Sequence, residues 1–422
     1  MSTEAASIFS NEYKIKNWEN RFFWVEAAFY FLQGLFLAGL NAYSSVRLAE
    51  WSVPLAQQAS LTAITGIPAY LKMFLGLLTD RVVVGKWGRR KPYLMLSLLL
   101  TIPCYIVYIT TESFTGLLIA QSLAFLAWAM ADTTLDALTV DITPDDKDSR
   151  MQSYAQGGRY LGYALGAGAV PVLGPIIGWT TVIVIIGLFG IFMPVSALLI
   201  RETPITQADL KGSMSLGHMF KEVFTNKAVW AGIFISIFMF AGITANLVGN
   251  YVLSEYNWAD DPVKLQWYGI ATLVGMLGIM TGALLGGRLY RSMKFNLRAV
   301  GILTAVFVLL NLPFFLFEAN PNSVPIYTLV TFIRNIGYGL MVTTTYTIVM
   351  RVAMPSMEGF TFALMTSVMN IGQLLISPKV LGATMPRLGI TPSLLILSLT
   401  TVIAVVFYTL VHKDLDDKPA GG

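Results

Sequence analysis

At 422 residues the chain is long enough for two or three soluble domains, but 55% of it is hydrophobic, only 12% is charged, and its mean hydropathy is +0.65. Soluble domains carry about 25% charged residues, so a soluble globular protein is excluded. The net charge of +4 does not point to nucleic acid, because the basic residues fall in the breaks between apolar runs, where they act as topology determinants.

The N-terminal tail, 1–21, is polar and of mixed charge. The first apolar run, 22–48, is too long for the h-region of a cleavable signal peptide and is expected to remain as a membrane helix. Further apolar runs of spanning length follow at 58–79, 91–111, 114–142, 150–173 and 178–200, and then at 227–253, 265–288, 297–317, 323–352, 357–382 and 391–411. Polar residues at 201–226 divide them into an N-terminal bundle over 22–200 and a C-terminal bundle over 227–411, with a short tail at 412–422. The pattern predicts an all-α membrane protein of twelve transmembrane helices in two six-helix halves. The single cysteine, Cys104, lies inside an apolar run and excludes an intramolecular disulfide.

Of the 28 lysines and arginines, twenty-one fall in the tails and in one set of alternating loops, and only Arg47, Lys264, Lys379 and Arg387 fall in the other set. The asymmetry predicts that both termini and the 201–226 loop face the cytoplasm, as in a multi-pass protein of a cytoplasmic (inner) membrane. The halves also repeat one another. Leu77-Leu78-Thr79-Asp80-Arg81 and Leu284-Leu285-Gly286-Gly287-Arg288 lie 207 residues apart, and the same offset pairs Lys91 with Arg298.

The loop after the second span reads Gly76-Leu-Leu-Thr-Asp80-Arg81, then Gly85-Lys-Trp-Gly88-Arg89-Arg90-Lys91-Pro92. Gly76 allows close helix approach, Asp80 and Arg81 mark the membrane boundary, and Pro92 suits a first helical turn. Taken alone, this is also what an ordinary positive-inside loop looks like. Together with the six-plus-six repeat it resembles the signature loop of the major facilitator superfamily. That resemblance implies two pseudo-symmetric bundles around a polar cavity, working by alternating access. It also implies a cytoplasmic gate built from Gly76, Asp80, Arg81, Gly88, Arg89 and Arg90. Asp141, at the same boundary, is expected to partner Arg81 or Arg89 there.

Pro68-x-x-x-Lys72-x-x-x-Gly76-x-x-x-Asp80 and Asp132-x-x-x-Asp136-Ala-x-x-x-Asp141-x-x-Pro144 are similar to the group containing muropeptide permeases, acetyl-coenzyme A transporters and folate-biopterin transporters. The Gly88-Arg89-Arg90-Lys91-Pro92-Tyr93 stretch is shared with sugar-cation symporters. The first likeness implies a bulky polar or anionic substrate.

Depth along the helices singles out a site independently of family. At 1.5 Å per residue, Lys72 lies about 12 Å in from Asp80, Asp136 about 9 Å and Asp132 about 15 Å in from Ile142, and Arg159 about 14 Å in from Arg150. All four approach the midplane of a core about 30 Å thick, where facing lipid would cost each several kcal/mol. Asp132 and Asp136, four residues apart, share a helix face. They either neutralise Lys72 and Arg159 as buried pairs that hold helices together, or carry a coupling proton beside substrate-binding cations. The two roles are compatible.

Glu26, about one turn into the first span, is a third candidate proton carrier; its shallow depth favours a hydrated or paired carboxylate. Gln33 and Asn41 follow on the same helix as candidate path-lining residues. In the second half, Arg334 lies about 25 Å from Arg351, in the outer half of the bilayer, as a snorkelling or cavity-facing residue. Asn246, Asn250, Asn370 and Gln373 add neutral polar groups, each expected to glue helices or contact substrate. Gly157, Gly158, Gly162, Gly166 and Gly168 are expected to let the fifth span pack closely.

No Walker loop is present, and His218 and His412 in polar segments supply neither a metal site nor a triad. No enzymatic activity, metal or cofactor is expected. The function expected is secondary active transport of a polar or anionic metabolite by alternating access, as proton-coupled symport; a sodium- or proton-coupled sugar symporter and a non-transporting membrane receptor or assembly factor on the same fold are the alternatives. The partners expected are a small-molecule substrate, protons or sodium, and membrane lipid, with the chain acting as a monomer.

Overall fold

The computed structural model describes residues 11–84, 89–144, 148–200, 202, 216–292, 297–352 and 358–413. Most of the expected 201–226 loop, and Gly88, lie outside them. Among the described residues every regular element is a helix. A short α1 (Asn11–Asn17) leads into α2 (Arg21–Glu50), and the second predicted span forms three pieces, α3 (Leu55–Thr65), α4 (Ile67–Tyr70) and α5 (Lys72–Arg81). Pro68 accounts for part of that interruption, since it has no N–H to return to Ile64. Next come α6 (Lys91–Thr110), α7 (Phe114–Ile142), α8 (Asp148–Ile177) and α9 (Trp179–Ala197). Gly178, at φ 84°, makes the α8–α9 corner in one residue, a conformation glycine adopts without strain.

The second half begins with α10 (Leu216–Thr225) and α11 (Lys227–Ile243), followed after a two-residue break by α12 (Asn246–Glu255). Then come α13 (Pro262–Ser292), α14 (Leu297–Leu309), α15 (Phe314–Ala319) and α16 (Val324–Val352). The chain continues through α17 (Glu358–Ile371), a π-helical segment (Gly372–Ile376), α18 (Ser377–Leu388) and α19 (Ile390–Thr409). Side chains start several of these: Ser113 accepts from the Gly116 amide at 3.1 Å before α7, and Asn226 from the Ala228 amide at 2.8 Å before α11.

Nine helices among the described residues are long and apolar enough to cross a membrane, with α11–α12 and α14–α15 each counting as one. The three remaining predicted spans correspond to α3–α5, α16 and α17–α18. They fall short for physical reasons: α3–α5 is interrupted and ends on charge, α16 carries Arg334 and Asn335, and α17–α18 carries the π-helical segment and Lys379.

Packing sorts these helices into two compact units that interleave along the sequence. One holds the described residues up to Leu40, Leu71–Gly166 and Gly178–Glu222. The other holds Asn41–Tyr70, Ala167–Ile177 and the described residues from Val223 onward. The first unit is built on an apolar core of Phe22, Phe29, Leu94, Leu135, Leu138 and Met193, with Trp18 and Tyr154 packed against it. Its tightest crossing is α2 on α8. A Cβ on Gly34 would lie 2.5 Å from the Arg159 carbonyl oxygen and one on Gly166 2.6 Å from that of Leu35, while one on Gly162 would overlap the Phe31 carbonyl.

Among the described residues nothing lies within 4 Å of a Cβ built on Gly157, so the helix-packing role expected of these glycines belongs to Gly158, Gly162 and Gly166 against α2 and to Gly168 against α13. Gly162→Ala is therefore expected to destabilise the protein by about 1–3 kcal/mol through overpacking, and Gly157→Ala, at an open position in a helix, to leave it at least as stable. Thermal unfolding of the two purified variants in one detergent checks this, and equal melting temperatures would refute it.

In the second unit α3 lies along α18, where a Cβ on Gly382 would sit 2.8 Å from that of Ala59. A Cβ on Gly168 of α8 would lie 2.8 Å from Leu273 Cβ and 3.0 Å from the Gly269 carbonyl oxygen of α13. Helix segments from both halves of the sequence thus share one packed body at the ends of α2, α3 and α8.

Candidate functional site

The first unit brings the predicted midplane charges together. α5 supplies Lys72, α7 supplies Asp132 and Asp136, α8 supplies Arg159, and α2 supplies Gln33 and Tyr30. Asp132 is the hub and is 2% exposed. Its Oδ2 pairs with the Lys72 ammonium, and its Oδ1 accepts from Arg159 Nη2 at 3.0 Å and from Gln33 Nε2 at 2.5 Å. Arg159 Nε donates to Gln33 Oε1 at 3.1 Å, closing a ring of three side chains from three helices. The close α2–α8 crossing is what lets Gln33 and Arg159 meet.

Asp136, one turn further along α7, is placed differently. Its side chain is 47% exposed; it accepts from the Tyr30 hydroxyl and lies 4.0 Å from Lys72 Nζ. Aromatic rings flank the cations, with Arg159 Cζ 4.3 Å from the Tyr30 ring centroid and Lys72 Nζ 5.2 Å from that of Trp128. The indole Nε1 of Trp128 is buried with no hydrogen-bond acceptor among the described residues. Two carboxylates of unlike exposure thus sit beside two cations, one locked and one accessible.

Glu26 is buried, at 1% exposed, where its shallow depth suggested hydration or an ionic partner. Both its oxygens accept from the Thr139 hydroxyl, at 3.0 and 2.9 Å, and no cation among the described residues pairs with it. Phe22 and Phe23 of α2, with Trp18 packed against them, share one apolar core with Leu135 and Leu138 of α7.

At the loop end of the same unit, Asp141 Oδ2 takes Arg89 Nη2 at 2.5 Å and Arg90 Nε at 3.0 Å, while Arg90 Nη1 donates to Thr79 Oγ1 at 3.0 Å. The expected Asp141–Arg89 contact is thus present, with Arg90 added. Glu202, which nothing in the sequence singled out, accepts from the backbone amides of Arg89, Arg90 and Lys91, the last two at 2.5 and 3.1 Å. A carboxylate there offsets the unpaired amides at the start of α6. Asp80 and Arg81 belong to α5, but their side chains lie outside the described part, as does Gly88. Gly76 is slack: a Cβ there would meet only Thr133 Cγ2, at an ordinary 3.5 Å. The close approach expected at Gly76 is not made there, whereas the close packing expected of the α8 glycines is.

The polar residues of the second unit do not form one cluster. Asn250 donates to Gln58 Oε1 at 2.7 Å, Asn370 to the Ala69 carbonyl at 3.3 Å, and Arg334 is 4% exposed among neutral acceptors. Gln373 is half-buried in the π-helical segment, Asn246 is exposed at the start of α12, and Asn41 is exposed on α2. Tyr30 was missed by the sequence reading although it had a signal, lying four residues after Glu26 and three before Gln33 on one helix face.

The sequence matches the Major Facilitator Superfamily over residues 27–377. No curated protein matches it. Among solved structures it is similar to a variant of the nucleoside transporter NupG, with TM-score 0.71 at 12% identity over 92% of this chain and 99% of that one. It is also similar to a bacterial homolog of the human lysosomal transporter Spinster in an inward-facing, unoccupied conformation, with TM-score 0.66 at 15% identity over 95% and 100%. At these identities the likeness is one of fold. The all-helical architecture, the membrane-spanning lengths and the family match over most of the sequence agree: the chain belongs to the major facilitator superfamily and is a membrane transporter, not an enzyme.

Proposed function

We propose that the chain is a proton-coupled symporter of a polar or anionic metabolite, working by alternating access between bundles 22–200 and 227–411, with both termini in the cytoplasm of a cytoplasmic-type membrane. The observation that carries this reading is the unequal pair on α7: Asp132 is buried against Lys72 and Arg159, whereas Asp136 is 47% exposed with Lys72 4.0 Å away. Asp132 holds the cations in place, and Asp136 takes and releases the coupling proton. Substrate entering beside Asp136 competes for Lys72 and Arg159. Proton and substrate affinities are then linked reciprocally, as symport requires. At the loop end, Asp141 with Arg89 and Arg90 serves as part of the cytoplasmic latch.

The test starts with a thermal-shift screen of nucleosides, muropeptides, pterins and coenzyme A derivatives, since a ligand of the folded state raises its stability. Each hit is then offered to sealed proteoliposomes under an imposed pH gradient. Accumulation above the external concentration that collapses with a protonophore is expected. Accumulation indifferent to the pH gradient and driven by sodium would replace this reading with the sugar-cation type.

A further inference from the structure

Three helices of the second unit are interrupted, and their interruptions meet. α11 stops at Ile243 and α12 starts at Asn246; α14 and α15 are separated at 310–313; and the π-helical segment ends at Ile376, beside Ser377. In an unbroken helix the carbonyls of Ile243 and Thr244 would accept from the amides of Leu247 and Val248. Here the Val248 amide bonds to Ala245 instead, at 3.0 Å.

The two freed carbonyls are taken up by side chains. Arg334 Nη2 on α16 donates to the Ile243 oxygen at 2.7 Å, and Ser377 Oγ donates to the Thr244 oxygen at 2.7 Å. Arg334 also ties in the second break, its Nε donating to Asn311 Oδ1 at 2.9 Å while Asn311 Nδ2 returns to the Phe307 carbonyl at 3.0 Å. No carboxylate among the described residues pairs with this guanidinium, which lies 5.5 Å from the Phe307 ring centroid. Its positive charge faces the Ile243 carbonyl at the C-terminus of α11, where the helix carries partial negative charge.

We infer that Arg334, with Ser377 and Asn311, is a positioning clasp for the α11–α12 break, and that this break is the joint about which α12 moves during transport. Arg334 thus acts through the backbone rather than on substrate. What the joint moves is also defined. α12 carries Asn250, whose amide donates to Gln58 of α3 at 2.7 Å, and Gln58 Nε2 in turn donates to the Val53 carbonyl at 2.7 Å. A clasp that sets the angle of α12 therefore sets whether Asn250 reaches α3. Pivots are commonly built from such element-terminal residues, and π-helical turns mark functional positions in helices. The inference is independent of which carboxylate carries a proton.

Hydrogen–deuterium exchange on the full-length protein in nanodiscs tests it. Arg334→Gln should speed exchange of the 248–253 amides at least about tenfold, with α7 unchanged. Ser377→Ala should do the same more weakly, and the double variant should show less than the combined effect because both act on one break. Arg334→Lys, which keeps the charge but cannot bridge two acceptors as a fork, should fall between wild type and Arg334→Gln. A second readout uses Gln58→Cys with Asn250→Cys in a Cys104→Ser background, where oxidative crosslinking should fall when Arg334→Gln is added.

If Arg334→Gln does not fold, Ser377→Ala and Arg334→Lys carry the test. Wild-type exchange over 248–253 in the variants that fold overturns the clasp. Acceleration spread equally over α7 and α12 also overturns it, since that reports general loosening.

Discussion

Asp132→Asn is expected to destabilise the protein by about 3–5 kcal/mol, because it leaves two cations in a low-dielectric interior without their shared carboxylate. Asp132 is 2% exposed and bonds Lys72, Arg159 and Gln33 from three other helices, so solvent cannot substitute for it. Lys72→Met in the same chain should recover part of the loss by removing one stranded charge, and the recovery is a coupling measurable by a double-mutant cycle. Apparent melting temperature in a single detergent, together with the monodisperse fraction after purification, gives both quantities. An Asp132→Asn protein within about 0.5 kcal/mol of wild type, the range of ordinary surface changes, would show that the ion cluster is not what holds α2, α5, α7 and α8 together.

Asp136→Asn is expected to have the opposite profile. Its side chain is 47% exposed and its contacts are Tyr30 and, at 4.0 Å, Lys72, so folding should be little affected. Coupling should fail. The variant should exchange labelled for unlabelled substrate across proteoliposomes near the wild-type rate, yet reach no concentration ratio above one under an imposed pH gradient. The contrast with Asp132→Asn is the informative part, since the two residues are one turn apart and would behave alike if only helix face mattered. Full gradient-driven accumulation by Asp136→Asn would remove it as the coupling group. Glu26, buried against Thr139 with no cation paired among the described residues, would be the next variant to make.

Some of this architecture was legible one-dimensionally. Span positions follow from the thickness of the bilayer and the 1.5 Å helical rise, so each predicted span has its helices in the structure with ends shifted by only a few residues. The same arithmetic placed Lys72, Asp132, Asp136 and Arg159 at similar depth, because depth is a linear function of position along a helix.

Tertiary structure alone decided the azimuth of each helix and what stands opposite each side chain. It made Asp132 a locked hub and left Asp136 half exposed, although both lie on one face of α7. It buried Glu26 against Thr139 of α7, and it placed the Glu202 carboxylate on the first amides of α6 from 111 residues away. It also left Gly76 without the close helix approach expected there, and turned Arg334 from a residue at a given depth into a bridge between two helix breaks. Each of these depends on contacts between helices distant in sequence, and a hydropathy pattern carries depth but not rotation about the helix axis.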